Sequence, residues 1–177
     1  MHILFLYSLL YANLAGVSMP DTVQTQSGNL VLNGMGLREK FWIDVYVAGL
    51  YLTEKEHNPQ RIISARQPKR IHTKFIFPSI PKEKMQETLS ENLSKNPGIS
   101  EKTQEKIKQC LVMMEDFSEG DEIIFDYSPN LGTTIMIKGT NKGTIEGDDF
   151  MEAIFSIYLG SHPASESLKI GLLGIDK

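Results

Sequence analysis

Arg38, Asp44 and Tyr46 are the residues of this chain whose types and spacing could do chemistry together. Residues 41–52 read as one long strand with alternating side chains: Ile43, Val45 and Val47 point one way, and Trp42, Asp44 and Tyr46 the other. A glycine turn at Gly34 and Gly36 delivers Arg38 to the start of that strand. Extended backbone then puts its guanidinium on the face of Asp44 and Tyr46. A cation, a carboxylate and a phenol on one side of an otherwise apolar strand describe a pocket with a polar end. The same residues also describe an edge strand with a solvated polar face, which pattern alone favours. A third reading is a buried structural ion pair between Arg38 and Asp44.

Other chemistries find little footing. There is no nucleophile elbow, phosphate loop or dinucleotide glycine fingerprint; Gly34-x-Gly36 is too short for the last and precedes a strand. His2, His57, His72 and His162 are scattered without metal-ligand spacing, so neither a metal nor a cofactor is expected. Cys110 stands alone on the apolar side of an expected helix, where a thiol is structural. Glu146, Asp148 and Asp149 form an acidic trio placed to cap the helix that follows. Arg66, Lys69 and Arg70, beside Pro68, read as a solvated loop and only a weak anion patch. The net charge of -4 argues against a general nucleic-acid partner.

The elements that must position these residues follow from periodicity. Expected strands lie at residues 24–32, 41–52, 70–77, 122–127, 133–138 and 144–145. Expected helices lie at residues 60–65, 81–94, 101–116 and 148–159, with a last one starting at Pro163. Met85, Leu89 and Leu93 form the apolar stripe of the second helix, Asn92 sits at its edge, and Asn96-Pro97-Gly98 ends it. Residues 148–159 are apolar on most of their surface and should be buried. Strands, two helices, strands and two helices imply an α+β fold: an antiparallel sheet with helices packed on one face. With 177 residues, one domain is expected.

The first residues are a separate object. Residues 3–14 are mostly apolar, too short to span a bilayer comfortably, and followed by small residues around Ala15 and Ser18. They read as a secretory signal peptide over residues 1–18, ahead of a domain at residues 19–177. The alternative is a first strand or an uncleaved anchor. Export places the protein in the periplasm or outside the cell, with no stable membrane span after cleavage.

Leu32-x-Gly34-x-Gly36-x-Arg38, followed by Val45-Tyr46-Val47-Ala48-Gly49-Leu50-Tyr51-Leu52, resembles the opening of the chalcone isomerase-like family, and in particular its short bacterial members. Residues 69–75, 120–127 and 155–160 continue the likeness in order, to Gly174. The resemblance implies an open-faced antiparallel sandwich with a ligand cleft between the large sheet and the helices. Isomerases of this family orient a phenolic enone for ring closure and stabilise developing negative charge. Arg38 matches their arginine and Asn92 their helix asparagine. Tyr46 stands where they carry threonine, Met85 where they carry the catalytic tyrosine, and Ile157 where they carry a late Ser or Thr.

This pattern is similar to the family's non-catalytic branch, whose fatty-acid-binding members hold a carboxylate with an arginine and a tyrosine. Arg38 and Tyr46 fit that description, since a guanidinium grips a carboxylate in a fork and a phenol adds a hydrogen bond. Met85, Leu89, Ile154, Ile157 and Tyr158 would line a cleft for an acyl chain. The resemblance thus implies an exported, non-catalytic binder of a small amphipathic carboxylate such as a fatty acid. Its expected ligand-binding residues are Arg38, Tyr46, Asn92, Met85 and Ile157. The alternatives are an intramolecular lyase or isomerase acting through Arg38, and an accessory protein binding an envelope partner.

Overall fold

The computed structural model of the chain describes residues 10–95 and 99–175. In chain order the elements are β1 (Tyr11–Leu14), β2 (Val17–Pro20), β3 (Thr22–Thr25), β4 (Gly28–Lys40), β5 (Ile43–Leu52), α1 (Pro59–Ser64), β6 (Lys69–Phe75), β7 (Ser79–Ile80), α2 (Lys82–Ser94), α3 (Glu101–Met113), β8 (Phe117–Ser118), β9 (Glu122–Ser128), β10 (Gly132–Ile137), β11 (Thr140–Ile145), α4 (Asp148–Leu159) and α5 (Glu166–Leu172). The first nine of the eighteen positions of the expected signal peptide lie outside the described residues, and so does the expected helix stop at residues 96–98. Among the described residues no helix is long and apolar enough to cross a membrane.

Seven strands form one antiparallel sheet in the order β11-β10-β9-β6-β5-β4-β3. The helices cover one face of it. There, Ala48, Leu50, Ile71, Phe75 and Phe125 pack with Phe150, Ile154 and Phe155 of α4 and with Leu168 and Leu172 of α5. This is the α+β sheet-and-helix architecture expected from the order of elements. The opposite face at β4 and β5 is also covered, by the β1–β2 hairpin. Val17 and Met19 pack there on Leu30, Leu32, Val47 and Tyr51, and the Tyr51 hydroxyl donates to the Pro20 carbonyl at 2.9 Å.

The glycines are not a turn, which corrects the expectation above. Gly34 and Gly36 lie inside the 13-residue strand β4. They are there because α5 crosses β4 backbone to backbone. A Cβ on Gly34 would run into the carbonyls of Gly171 and Leu172, and one on Gly36 into Leu168. The actual turn is the pair Phe41–Trp42, which links β4 to β5 across the Lys40–Ile43 pair. Glycine usually punctuates turns; here it is spent on close packing instead.

β4 carries a bulge at Asn33. Leu32 pairs with Tyr51, yet Gly34 pairs with Leu50, so Asn33 is an extra residue in the ladder. The bulge swaps faces. Leu30 and Leu32 point toward the hairpin layer, while Gly34, Gly36 and Arg38 point with Leu50, Ala48 and Tyr46 toward the helices. Asn33 is buried and satisfied: its amide donates to Glu56 O (2.9 Å) and Leu172 O (3.0 Å), and its oxygen accepts from Glu56 N (2.9 Å). Lys55 adds an ammonium to the Leu32 and Asn33 carbonyls. One side chain thereby ties the bulge to α5 and to the segment after β5.

Two charge expectations are corrected. Of the Arg66, Lys69 and Arg70 cluster only Arg66 lies in a solvated loop, and all three are engaged with other groups of the protein. Lys69 is 1% exposed and donates to Ile62 O, Ile63 O and Ala65 O at the end of α1. Arg70 pairs with Asp126 at 2.5 Å, and Arg66 with Asp148 and Glu152 at 2.6 and 2.5 Å. The acidic trio is not a cap either, because Gly147 holds the N-cap position of α4 and Glu146 is exposed. Asp148 and Asp149 sit in the first turn, favoured by the helix dipole, and bond Tyr127 (2.6 Å) and Thr103 (2.7 Å). Cys110 is fully buried, and burial pushes its thiol up to about 12.

Asn33→Ala strands buried polar groups, and Gly34→Ala forces α5 off β4. Each should lower the unfolding free energy by about 1–3 kcal/mol, read as a lower urea midpoint at unchanged slope. Wild-type midpoints in both variants would remove the bulge and the helix crossing as constraints.

Candidate functional site

A cavity of about 370 Å³ lies between the helix-facing side of the sheet and the helices, at the end of β4 and β5 that α5 leaves uncovered. Its volume is within the range of roughly 300–1,000 Å³ usual for small-molecule sites. Its floor is sheet: Arg38 from β4, Val45 and Tyr46 from β5, Thr73 and Phe75 from β6, and Ile123 from β9. Met85, Leu89 and Asn92, at helical spacing, bring one face of α2 to the wall. Ile157 and Tyr158 close it from the end of α4. Lys40, Phe41, Ile43 and Lys84 also border it.

All five expected site residues, Arg38, Tyr46, Asn92, Met85 and Ile157, therefore meet in one cavity, as do Leu89 and Tyr158. Ile154 does not border it. It is fully buried in the core, because α4 turns that position toward the sheet. Asp44 is also excluded. A second bulge makes Val45 the extra residue: Tyr46 pairs with Arg38, but Asp44 pairs with Glu39. Val45 O accepts from both Ile76 N (3.0 Å) and Phe77 N (3.1 Å). Past this bulge Asp44 faces away from the cavity and is exposed, and Ile43 takes the cavity side. Simple alternation from Tyr46 could not reveal this.

Asp44 is therefore not a partner for Arg38. Among the described residues it forms no ion pair, and its Nη1 donates to the neighbouring Glu39 carbonyl at 3.1 Å. A guanidinium carries five N–H donors, so most remain available. It is half-buried and borders an apolar space directly across the ladder from the Tyr46 phenol.

The two phenols are held neutral. Burial chiefly, and the Tyr158 phenol next, push Tyr46 well above the ordinary phenol range, while the Arg38 guanidinium pulls it down only in part. Phe75 meets the Tyr46 ring edge-on at 5.9 Å. Burial pushes Tyr158 up to about 12, against the Thr73 hydroxyl beside it. Neutral phenols donate hydrogen bonds and cannot take a proton as phenoxides would.

Thr73 was not among the expected site residues. It is 2% exposed, and its Oγ1 is buried with no hydrogen bond of normal geometry to the protein. The lining is mainly apolar, with one polar spot at Arg38 and Tyr46, another at Thr73 and Tyr158, and Lys40, Ser79, Lys84, Thr88 and Asn92 elsewhere around it. The only signal in the sequence was the placement of Thr73 on the same face of its strand as Ile71 and Phe75. Among the described residues no three His, Cys, Asp or Glu side chains converge in a way that could hold a metal ion.

Comparisons with known proteins agree with this fold. The model of the family described as chalcone isomerase-like matches residues 11–174. Comparison with curated proteins returns no match. Among solved structures, the crystal structure of an Arabidopsis thaliana fatty-acid binding protein is similar with a TM-score of 0.74 at 18% identity, over 93% of this chain and 96% of that one. At that identity the likeness establishes the fold.

Tyr158 ionises near 10 in an unfolded chain and near 12 in the folded one. Between those values the unfolded state holds fewer protons, so stability should fall as pH rises through that window. Tyr158→Phe should show a shallower fall between pH 10 and 12 in chemical denaturation. An identical slope would place Tyr158 in a wetter site than described here.

Proposed function

This chain belongs to the chalcone isomerase-like family, and from that premise we propose that it is a non-catalytic binder of a small amphipathic carboxylate, most simply a fatty acid. The observation that carries the reading is a half-buried arginine without a carboxylate partner among the described residues, facing an apolar cavity beside a neutral phenol. A ligand carboxylate supplies the missing counter-charge. The guanidinium grips it in a fork and Tyr46 donates a third hydrogen bond. The acyl chain then runs along Met85, Leu89, Phe75 and Ile157. That a fatty-acid binding protein shares the fold supports the choice of ligand.

The chemistry of the walls supports binding over catalysis. Methionine and isoleucine at positions 85 and 157 offer no proton, and both cavity phenols are held protonated. A ring-closing isomerase needs groups that stabilise charge as it develops. Here Arg38 in the cavity floor suits a charge already present, and Lys40 and Lys84 also border the cavity.

Arg38→Ala should weaken palmitate binding by about 10–100-fold, the value of a charge-assisted hydrogen-bonded pair, and Tyr46→Phe by roughly three- to tenfold. Calorimetric titration of the purified protein reads both. Unchanged affinity in Arg38→Ala would remove the clamp.

We further propose that the chain is exported, with cleavage near Ala15 or Ser18. Met19, packed against Gly49, remains in the mature protein in either case, whereas the Tyr11–Leu14 strand is lost. N-terminal sequencing of protein from the periplasm or medium should begin at residue 16 or 19. A start at Met1 would defeat export with cleavage.

A further inference from the structure

The hairpin tip between β4 and β5 is built against its own backbone preference. Lys40 pairs with Ile43, leaving a two-residue loop, Phe41–Trp42, with φ of 51° and 61°. Two consecutive positive φ values are the signature of the turn that normally takes Asn-Gly, since bulky side chains are strained there. This chain puts two aromatic residues in it. They do not repay the strain by packing: Phe41 is 79% exposed, Trp42 94% and Ile43 49%. Folding therefore gives no reason for them, and strain kept without a folding benefit points to function.

Their location supplies the reason. Phe41 and Ile43 border the cavity, so the exposed apolar tip is continuous with the cavity's apolar lining. Lys40 and Lys84 border it too, and the Lys40 ammonium lies 5.9 Å over the Phe41 ring. Glu39 and Asp44 flank the tip on the other side, so its collar is of mixed charge. Three contiguous side chains on a projecting turn are far too small for a stable protein interface, which needs about 1,000 Å². They suit the boundary of a bilayer, where tryptophan sits at headgroup level, a neighbouring phenylalanine and isoleucine reach the acyl region, and lysines lie among phosphates.

We propose that the Phe41-Trp42-Ile43 tip inserts into the interface of a lipid bilayer and sets the cavity mouth against it, so that an acyl ligand passes between membrane and cavity without crossing bulk water. The proposal deepens the lipid-binding reading of the cavity and rests on it for its purpose, but the insertion can be measured separately.

Trp42 is the only tryptophan of the chain, so its emission reports on the tip alone. Phosphatidylcholine vesicles, with and without phosphatidylglycerol, should shift that emission to the blue, and acyl-brominated lipids should quench it. Trp42→Ser should lower vesicle co-sedimentation by roughly tenfold or more, with solution affinity for palmitate unchanged. The double variant Phe41→Asn, Trp42→Gly, which restores the preferred turn, should be at least as stable as wild type and lose vesicle binding. Emission unaffected by vesicles overturns the proposal. So does a blue shift that appears with protein concentration alone, which would mean that a second copy covers the tip. Insertion without any palmitate binding in solution would leave the membrane contact standing and refute the ligand reading; palmitate binding without insertion would do the reverse.

Discussion

Two extra residues in one pair of strands decide what this protein can do. Without the bulge at Asn33, strict alternation would carry the face of Leu30 and Leu32 through to Arg38 and turn the guanidinium away from the helices. With it, Arg38 emerges among the helices, opposite Tyr46. Without the bulge at Val45, Asp44 would share that face and neutralise the arginine. With it, Asp44 turns out to solvent. A half-buried cation with no ion pair among the described residues, bordering a mainly apolar cavity, is the product of both shifts. Burying such a charge is expensive. The structure tolerates it by keeping Arg38 half-exposed and by giving one N–H to a backbone carbonyl.

The rest of the architecture serves that placement. Gly34 and Gly36 let α5 lie directly on β4, and Asn33 fastens α5 to the bulge through the Leu172 carbonyl. Because α5 lies on β4 at Gly34 and Gly36, short of Arg38, the far end is left to α2 and the end of α4, whose side chains frame the cavity instead of filling it. Stability and the site thus share the same backbone atoms. A change that loosens the α5 crossing also misaims the arginine.

The broad fold was legible because it rests on composition at long range. Helix α4 is apolar nearly all round, and its bounds at 148–159 follow from that. The expected helix at residues 60–65 is α1, whose N-cap Asn58 accepts from Arg61 N. The five expected site residues came from a family pattern, and all five border one cavity. What could not be read was local and register-dependent. A bulge has no signature in side-chain periodicity when the extra residue is an ordinary Asn or Val. The glycines of β4 looked like a turn because their reason lies in a helix more than 130 residues later. Phe41–Trp42 looked like strand because the turn lacks the residues turns prefer. Lys69 looked solvated, since nothing in its neighbours announces three carbonyls waiting at the end of α1.

The central claim is that Arg38 meets a ligand carboxylate at the polar end of the cavity. Carbon-13 NMR of palmitate labelled at its carboxyl carbon, bound to the protein and titrated with acid, tests it at the atom concerned. A carboxylate held by the guanidinium should titrate well below the value of the free fatty acid, and should lose that protection in Arg38→Ala. A bound carboxyl that titrates at or above the free value in the wild-type protein would mean that it lies in apolar surroundings or in solvent, away from Arg38, and would contradict the account.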